Sequence, residues 1–534
     1  MPLTKKIIIC SVVTIALLSS LSGCIFDDWL GGTSFSLVSW SVVDDEDFAS
    51  LNITFSCSDS ITIKLLNPSS LLVDTDYFFG SEDNQYVVLH LAESRHSVTP
   101  GQYNVKAYNS DNSEISSQTI SIAGSDLSIL SCAQDWWEQE VWVGQDSLFG
   151  LNMAVKNNGD VPVYPYTTEV TIDSETITGN VLPCVIMPGQ RKSIDCFIYR
   201  EESIPDDTTF FVSLKDIDGN TLSTGYFSIN VQDFVDVTRF DWRHNGNRWV
   251  NIPIPEYMYD YYSSLERRSN EDYSLYIFDS NDDDYIDIIL DCLTFAFPST
   301  DDVEKINYIA SFVQNLEYKS DDDTDSTYEY PRYPIETLYN EGGDCEDLSI
   351  IAASLLSQLG YDVALLRLPN HMAVGVSLTE SALPSYDYYI EDYYFLETTT
   401  TTPGCGYIPS NYQDVSDVTA YPITSRPLLV HNWKDGHLSI YSVGGLVDSV
   451  KVTIVVENLG SSTAQNILVK GAFYSAYDQE INAATKTISS LEPGMKKEVV
   501  LSTDVPLGAT TWFKTRLYYG NQMVDERQSA SSFP

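Results

Sequence analysis

Short runs that alternate apolar and polar residues recur along most of this chain, and they constrain its fold more than any other feature. SFSLVSW, LNITFSC, ITIKLL, YVVLHL and GQYNVKAY, all within residues 33–123, are separated by Asn, Asp, Gly and Pro. A period of two puts successive side chains on opposite faces, so each run reads as a half-buried strand. Several in succession read as an antiparallel β-sandwich. Residues 126–232 continue the pattern and introduce an internal echo. LNMAVKNNGDVPV followed by IMPGQRKSIDCFI matches VTIVVENLGSSTA followed by LEPGMKKEVVL near the C-terminus. Each copy has a strand, an Asn-x-Gly turn, further strands, and a Pro-Gly turn before another strand. Two copies are too few for a solenoid, so sandwiches are expected at 126–232 and 427–534, flanking something else.

The chain has 534 residues with 76 acidic and 29 basic side chains, a formal net charge of −47. Such a surface repels phosphate backbones, so no nucleic-acid partner is expected. With 43% hydrophobic residues there is enough apolar material for several cores, which excludes wholesale disorder. CxxC, HExxH and GxxxxGK[ST] spacings are missing, which removes zinc-ribbon, zincin and P-loop readings.

Residues 1–24 read as an export signal. Lys5 and Lys6 precede the short apolar run Ile7–Leu18, and Leu21-Ser22-Gly23-Cys24 resembles a prokaryotic lipobox. By that resemblance Cys24 becomes the lipidated N-terminus, which anchors the protein to the outer face of the cytoplasmic membrane. An ordinary signal peptide or an uncleaved anchor are the alternatives. Export permits disulfides. Cys184 and Cys196 lie symmetrically about the Pro188-Gly189-Gln190 turn, so antiparallel pairing is expected to join them. Seven cysteines remain once Cys10 and Cys24 are set aside, an odd number that leaves at least one thiol free or paired between chains.

Residues 233–426 change character. Val303, Ile306, Ile309, Ala310 and Val313 share one helical face, as do Leu348, Ile351, Ala352, Leu355, Leu356 and Leu359. Strand-like runs DVALLRL, HMAVGVSL and DYYFLETT follow, so an α+β domain is expected here. Asp344 is placed to cap the second helix, with Asp347 completing a partial capping box, and Cys345 takes the first helical position. Free amide N–H groups and the helix dipole there favour a thiolate and can hold an oxyanion, although Glu346 and Asp347 oppose the effect. His371 opens a strand 26 residues later, and Glu397 ends another strand after 26 more. A carboxylate on a neighbouring strand can orient an imidazole, so the order Cys–His–acid fits a thiol acyl-transfer site.

FVQNLEY (Phe312–Tyr318), YPRYPIETL (Tyr330–Leu338), GGDCEDLS (Gly342–Ser349), GYDVALLRLPNHMAVGV (Gly360–Val376) and YYFLETT (Tyr393–Thr399) together resemble the transglutaminase-like superfamily, and its prokaryotic surface members in particular. The resemblance implies a papain-like fold with Cys345 as nucleophile, His371 as base and Glu397 as orienting acid. Glu397 stands where that family commonly has Asp, and Asp387 and Asp392 compete for its role. Gln314 is a weaker carry-over as an oxyanion donor. The echoed sandwiches resemble CARDB-type surface modules.

Blander readings stand beside these. His90, His96, His244, His431 and His437 read as structural. No cofactor is expected. SNDDDYIDIILD and SDDDTD invite calcium as an alternative, yet neither has EF-hand spacing. Tyr257–Tyr262 and Tyr386–Tyr394 read as half-buried paving, with sugar or peptide binding as the alternative. The expected whole is a signal peptide (1–24), sandwiches at 33–123, 126–232 and 427–534, and the α+β enzyme domain at 233–426. It is expected to act on protein or peptide substrates at the cell surface, as a peptidase or amidase more than a crosslinker. A non-catalytic adhesin or peptide-binding scaffold is the rival.

Overall fold

The strand-period runs form strands, and they dominate the chain. The computed structural model describes residues 33–534 apart from 79, 81, 139–145, 268–271, 296, 298, 322–329, 379–392, 403, 414, 416, 437, 444–445, 507, 509 and 534. The signal segment and Cys24, Asp387, Asp392, His437 and most of SDDDTD therefore lie outside the described residues. Strands make up 51% and helices 13% of the chain as described, with five α-helices among the described residues. This corrects the expected fold class: the chain is a β-rich multidomain protein, not one built on an α+β, papain-like core. The helical segments that suggested such a core are short, 6 to 14 residues each, and strands precede and follow them.

The chain divides into two units. The first takes in residues up to 126 together with 157–163 and 185–190. It holds a three-stranded sheet (Phe35–Asp45, Phe48–Cys57, Glu82–His90) and a four-stranded sheet (Leu72–Phe78, Ile61–Leu66, Gly101–Tyr108, Glu114–Ile122), all antiparallel. Alternate residues such as Leu51, Ile53 and Phe55, or Ile63 and Leu65, are buried, as a period of two requires.

The second unit begins with an eight-stranded sheet. Within it the register sets Val181 and Leu151 opposite Cys196. The Cys196 thiol is directed at the Phe197 carbonyl at 3.6 Å. The expected Cys184–Cys196 bridge is thus not formed, because the strand Glu175–Val181 ends three residues before Cys184. Five helices follow: α1 (Glu256–Ser264), α2 (Asp283–Thr294), α3 (Asp302–Val313), α4 (Pro334–Tyr339) and α5 (Cys345–Gln358). SNDDDYIDIILD becomes the approach to α2 and most of that helix, with Asp283 and Asp284 in the first turn, where carboxylates favour the helix dipole. Tyr262 of the tyrosine-rich α1 is fully buried.

Helix α5 packs against α2, α3 and α4 and against the strands Val363–Leu368 and His371–Ser377. Every residue from Glu346 to Leu356 is buried, including Ser349 and Ser354, so the helix is enclosed on all sides and not only along the expected face. Gly360, at φ +88°, takes the left-handed turn that ends it. An antiparallel sheet ordered Tyr393–Leu396, His371–Ser377, Val363–Leu368, Thr419–Pro422 lies alongside. Two four-stranded sheets complete the unit around Val452, Ile454, Phe473, Phe513 and Leu517.

The echo is visible in the hydrogen bonds of each unit taken separately. In the first, Asn157 Nδ2 donates to the carbonyls of Val161 (2.7 Å) and Ile186 (2.9 Å), and its Oδ1 accepts from Gly159 N–H (2.9 Å). In the second, Asn458 Nδ2 donates to Ser462 (2.8 Å) and Leu491 (3.0 Å), and Oδ1 accepts from Gly460 N–H (3.1 Å). Gly189 and Gly494 donate to the carbonyls of those same asparagines. A Cβ on Gly159 would lie 2.3 Å from the Gly124 carbonyl oxygen, and one on Gly460 would lie 2.2 Å from that of Arg426. Any larger residue is excluded at both turns.

Candidate active site

The first turn of α5 is fixed from the side by Asp347. Its carboxylate accepts the Asp344 N–H (3.2 Å) and the Arg332 N–H (2.7 Å) and forms a buried ion pair with the Arg332 guanidinium. Arg332 also reaches Asp321 at 3.2 Å. Cys345 is therefore held at the start of a rigid helix, half-buried, with the backbone N–H of Met372 directed at its sulfur. Met372 follows His371, so the helix start and the start of the histidine strand meet at the thiol.

His371 Nε2 lies 3.2 Å from Glu397 Oε2, and both side chains are buried. Glu397 is the better held of the two. Its Oε1 accepts the N–H groups of Thr398 (3.1 Å) and Thr399 (2.9 Å) and the Thr399 hydroxyl (2.7 Å). Gln314, which ends α3, donates its side-chain N–H to the Glu397 carbonyl at 2.7 Å. Ser349, four residues along α5 from Cys345, shares a 2.9 Å hydrogen bond with Thr398. The strand end that carries Glu397 is thus bound to both α3 and α5. Tyr412 stacks on the His371 ring at 4.6 Å with an interplanar angle of 2° and is within electrostatic range of Cys345. The structure sets His371 against Glu397, with Gln314 in a supporting contact on the Glu397 carbonyl, and it sets the Cys345 sulfur against the N–H of Met372, the residue after His371.

The electrostatics depart from expectation. Burial raises the Cys345 thiol well above its ordinary value, and Glu346 and Asp344 push it further. The Met372 N–H acts in the opposite direction but is outweighed. The resting site holds a thiol whose S–H donates to Glu346 Oε2 at 3.2 Å. Glu397 behaves otherwise. Burial pushes its carboxyl up, but the hydrogen bonds and charge of His371 and the Thr399 bonds outweigh that and hold it below the usual glutamate value.

Three residues had no assigned role in the sequence reading. Arg332 lies within YPRYPIETL, Tyr412 carried no motif, and Glu346 was read only as an opposing charge. A lone Arg fifteen residues before a capping Asp is a signal only when the fold is known. Asp321, Asp344 and Glu346 bring one carboxylate oxygen each within 4.8 Å of the others. These are the residues near the thiol that could take a cation, although such acidic groupings are common without one.

No family model matches the chain, and no curated protein matches it either. Among solved structures it is similar to red sea bream transglutaminase, at 11% identity over 72% of this chain and 80% of that one, with a TM-score of 0.19. It is similar also to an exo-chitosanase of Amycolatopsis orientalis, at 11% identity over 91% and 77%, with a TM-score of 0.15. β-Glucosidase 3B of Thermotoga neapolitana gives 15% identity over 20% and 16%, with a TM-score of 0.14. At TM-scores this low the three likenesses carry no argument about fold or chemistry, and the functional reading rests on the site itself.

Proposed function

We propose that the chain is a transglutaminase-like cysteine acyl-transfer enzyme acting on peptide or glutamine-type amide bonds, with Cys345 as nucleophile, His371 as base and Glu397 as orienting acid. The observation that carries this reading is the buried His371–Glu397 contact at 3.2 Å beside a thiol on the first turn of a helix. Glu397 occupies Nε2, so Nδ1 is the nitrogen free to exchange a proton. His371 takes the proton from Sγ through Nδ1, and the sulfur attacks the amide carbonyl carbon. The backbone N–H groups at the start of α5 stabilise the developing oxyanion. The imidazolium returns its proton to the departing amine, which leaves a thioester on Cys345. Water then resolves the thioester to a carboxylic acid, which makes the enzyme a peptidase or amidase; an amine in place of water gives a crosslink. Gln314 supports the acid strand and is a weaker candidate as oxyanion donor.

Residues 1–24 export the protein, and Cys24 carries a lipid that anchors it at the cell surface. Replacing Cys24 by Ser is expected to release it into the medium; full retention on membranes would contradict the anchor. A second reading, a non-catalytic peptide-binding scaffold or adhesin, is favoured by one observation: the thiol donates to Glu346 and not to the imidazole. Incubation with peptide amides, read as released amine against a Cys345→Ala control, separates the two. Release that depends on Cys345 supports the enzyme, and identical traces support the scaffold.

A further inference from the structure

Glu346 stands next to the nucleophile in the chain and is only 3% exposed, yet its carboxylate turns back to accept the Cys345 S–H at 3.2 Å. A buried carboxylate costs several kcal/mol in desolvation and persists only where something holds it. Nothing in the acyl-transfer chemistry needs an acceptor on this side of the sulfur, because the proton has to travel to His371. The arrangement therefore competes with catalysis. We propose that Glu346 is a positioning residue that latches the thiol in a resting state, its proton held by the Glu346 carboxylate and not by the imidazole, until Glu346 turns aside. This inference rests on the acyl-transfer reading of the site.

The groups that face the thiol are few. Asp344 and Glu346 approach from its own helix start, Tyr318 from the strand Glu317–Tyr318, and Tyr412 from the segment over His371. The Met372 N–H approaches from the histidine strand, and Asp321 groups with Asp344 and Glu346. Of these, the N–H of Met372 favours the thiolate, and Glu346 accepts the S–H directly. On release the S–H···O contact breaks and the proton passes from Sγ to His371 Nδ1. The electron pair stays on sulfur as a thiolate beside an imidazolium, and Glu346 remains a carboxylate throughout.

The test is the rate of iodoacetamide labelling of Cys345 against pH in the full chain, for wild type, Glu346→Gln, Glu346→Asp and His371→Ala. Glu346→Gln is expected to label about tenfold faster at pH 7, with its midpoint about one unit lower, since tenfold in thiolate is one unit. Unchanged or slower labelling in Glu346→Gln overturns the latch. If Glu346→Gln fails to melt cooperatively, Glu346→Asp decides, because its carboxylate is withdrawn by one methylene. Faster labelling supports the latch and no change overturns it. His371→Ala reads the other question. Labelling that slows without His371 while ignoring Glu346 overturns the latch and leaves the enzyme reading intact. Labelling that responds to Glu346 but not to His371 shows a bare carboxylate effect on the thiol and overturns both the latch and the enzyme reading.

Discussion

Two histidines of the second unit, His371 and His431, each meet a carboxylate, and they differ in what their second ring nitrogen meets. His431 Nδ1 lies 2.8 Å from Asp525 Oδ2, and its Nε2 lies 2.7 Å from the Thr515 hydroxyl. That hydroxyl also accepts the Trp433 indole N–H at 2.6 Å. Both ring nitrogens are used, and the side chain is fully enclosed. His371 commits one nitrogen to Glu397, has Tyr412 over its face, and opens the strand whose next N–H meets the Cys345 sulfur. A carboxylate beside a histidine is therefore weak evidence of catalysis. What distinguishes the two is the second nitrogen and whether a nucleophile stands near it.

Substitution at the two positions breaks the comparison most strongly. His371→Ala is expected to lower Cys345-dependent amide cleavage by about a thousandfold, within the range for loss of a general base, with little change in melting temperature. His431→Ala should do the reverse. It removes the imidazole bonds to Thr515 and Asp525 and leaves a cavity, which costs about 2–4 kcal/mol by chemical denaturation, with activity per folded molecule unchanged. Equal activity losses in the two variants would erase the distinction.

Arg332→Met sharpens the contrast from the supporting side. It leaves the buried Asp347 without its cation, so about 3 kcal/mol of stability is expected to go, along with the aim of Cys345. Glu397→Gln should lose less activity than His371→Ala, about ten- to a hundredfold, because it orients the imidazole without exchanging the proton. The smallest effect is on acid stability. Glu397 is held below its unfolded value in the folded state, so its contribution is complete above about pH 4.3 and is lost as pH falls through the lowered value. A thermal melt series on the acid side should fall less steeply for Glu397→Gln than for wild type.

Much of this was legible in the sequence. The Asn-x-Gly and Pro-Gly echo predicted paired turns, and Asn157 and Asn458 make the same set of hydrogen bonds. Local rules fix such turns, since only glycine fits where another backbone passes within reach. Order and period singled out Cys345, His371 and Glu397 as candidates, and of these the structure places Cys345 at a helix start and His371 against Glu397. The fold class was not. Two helical segments drew attention to an α+β core, whereas strands govern most of the chain and α5 is enclosed by both helices and sheet. The Cys184–Cys196 symmetry counted residues without knowing where the strand ends, and register then placed Val181 opposite Cys196. The state of the thiol was unreadable because it depends on how deeply Cys345 and Glu346 are buried, which only packing decides.

The central claim is that Cys345 and His371 act as one unit. It is tested most directly by mass mapping of iodoacetamide adducts on the native full chain, with and without His371. Cys132 and Cys405, both buried where Cys345 is only half-buried, provide slow internal references by their enclosure. The account predicts that Cys345 labels ahead of both and that His371→Ala slows it several-fold while the references stay unchanged. A Cys345 that labels no faster than Cys132 and Cys405, and at the same rate without His371, would contradict it.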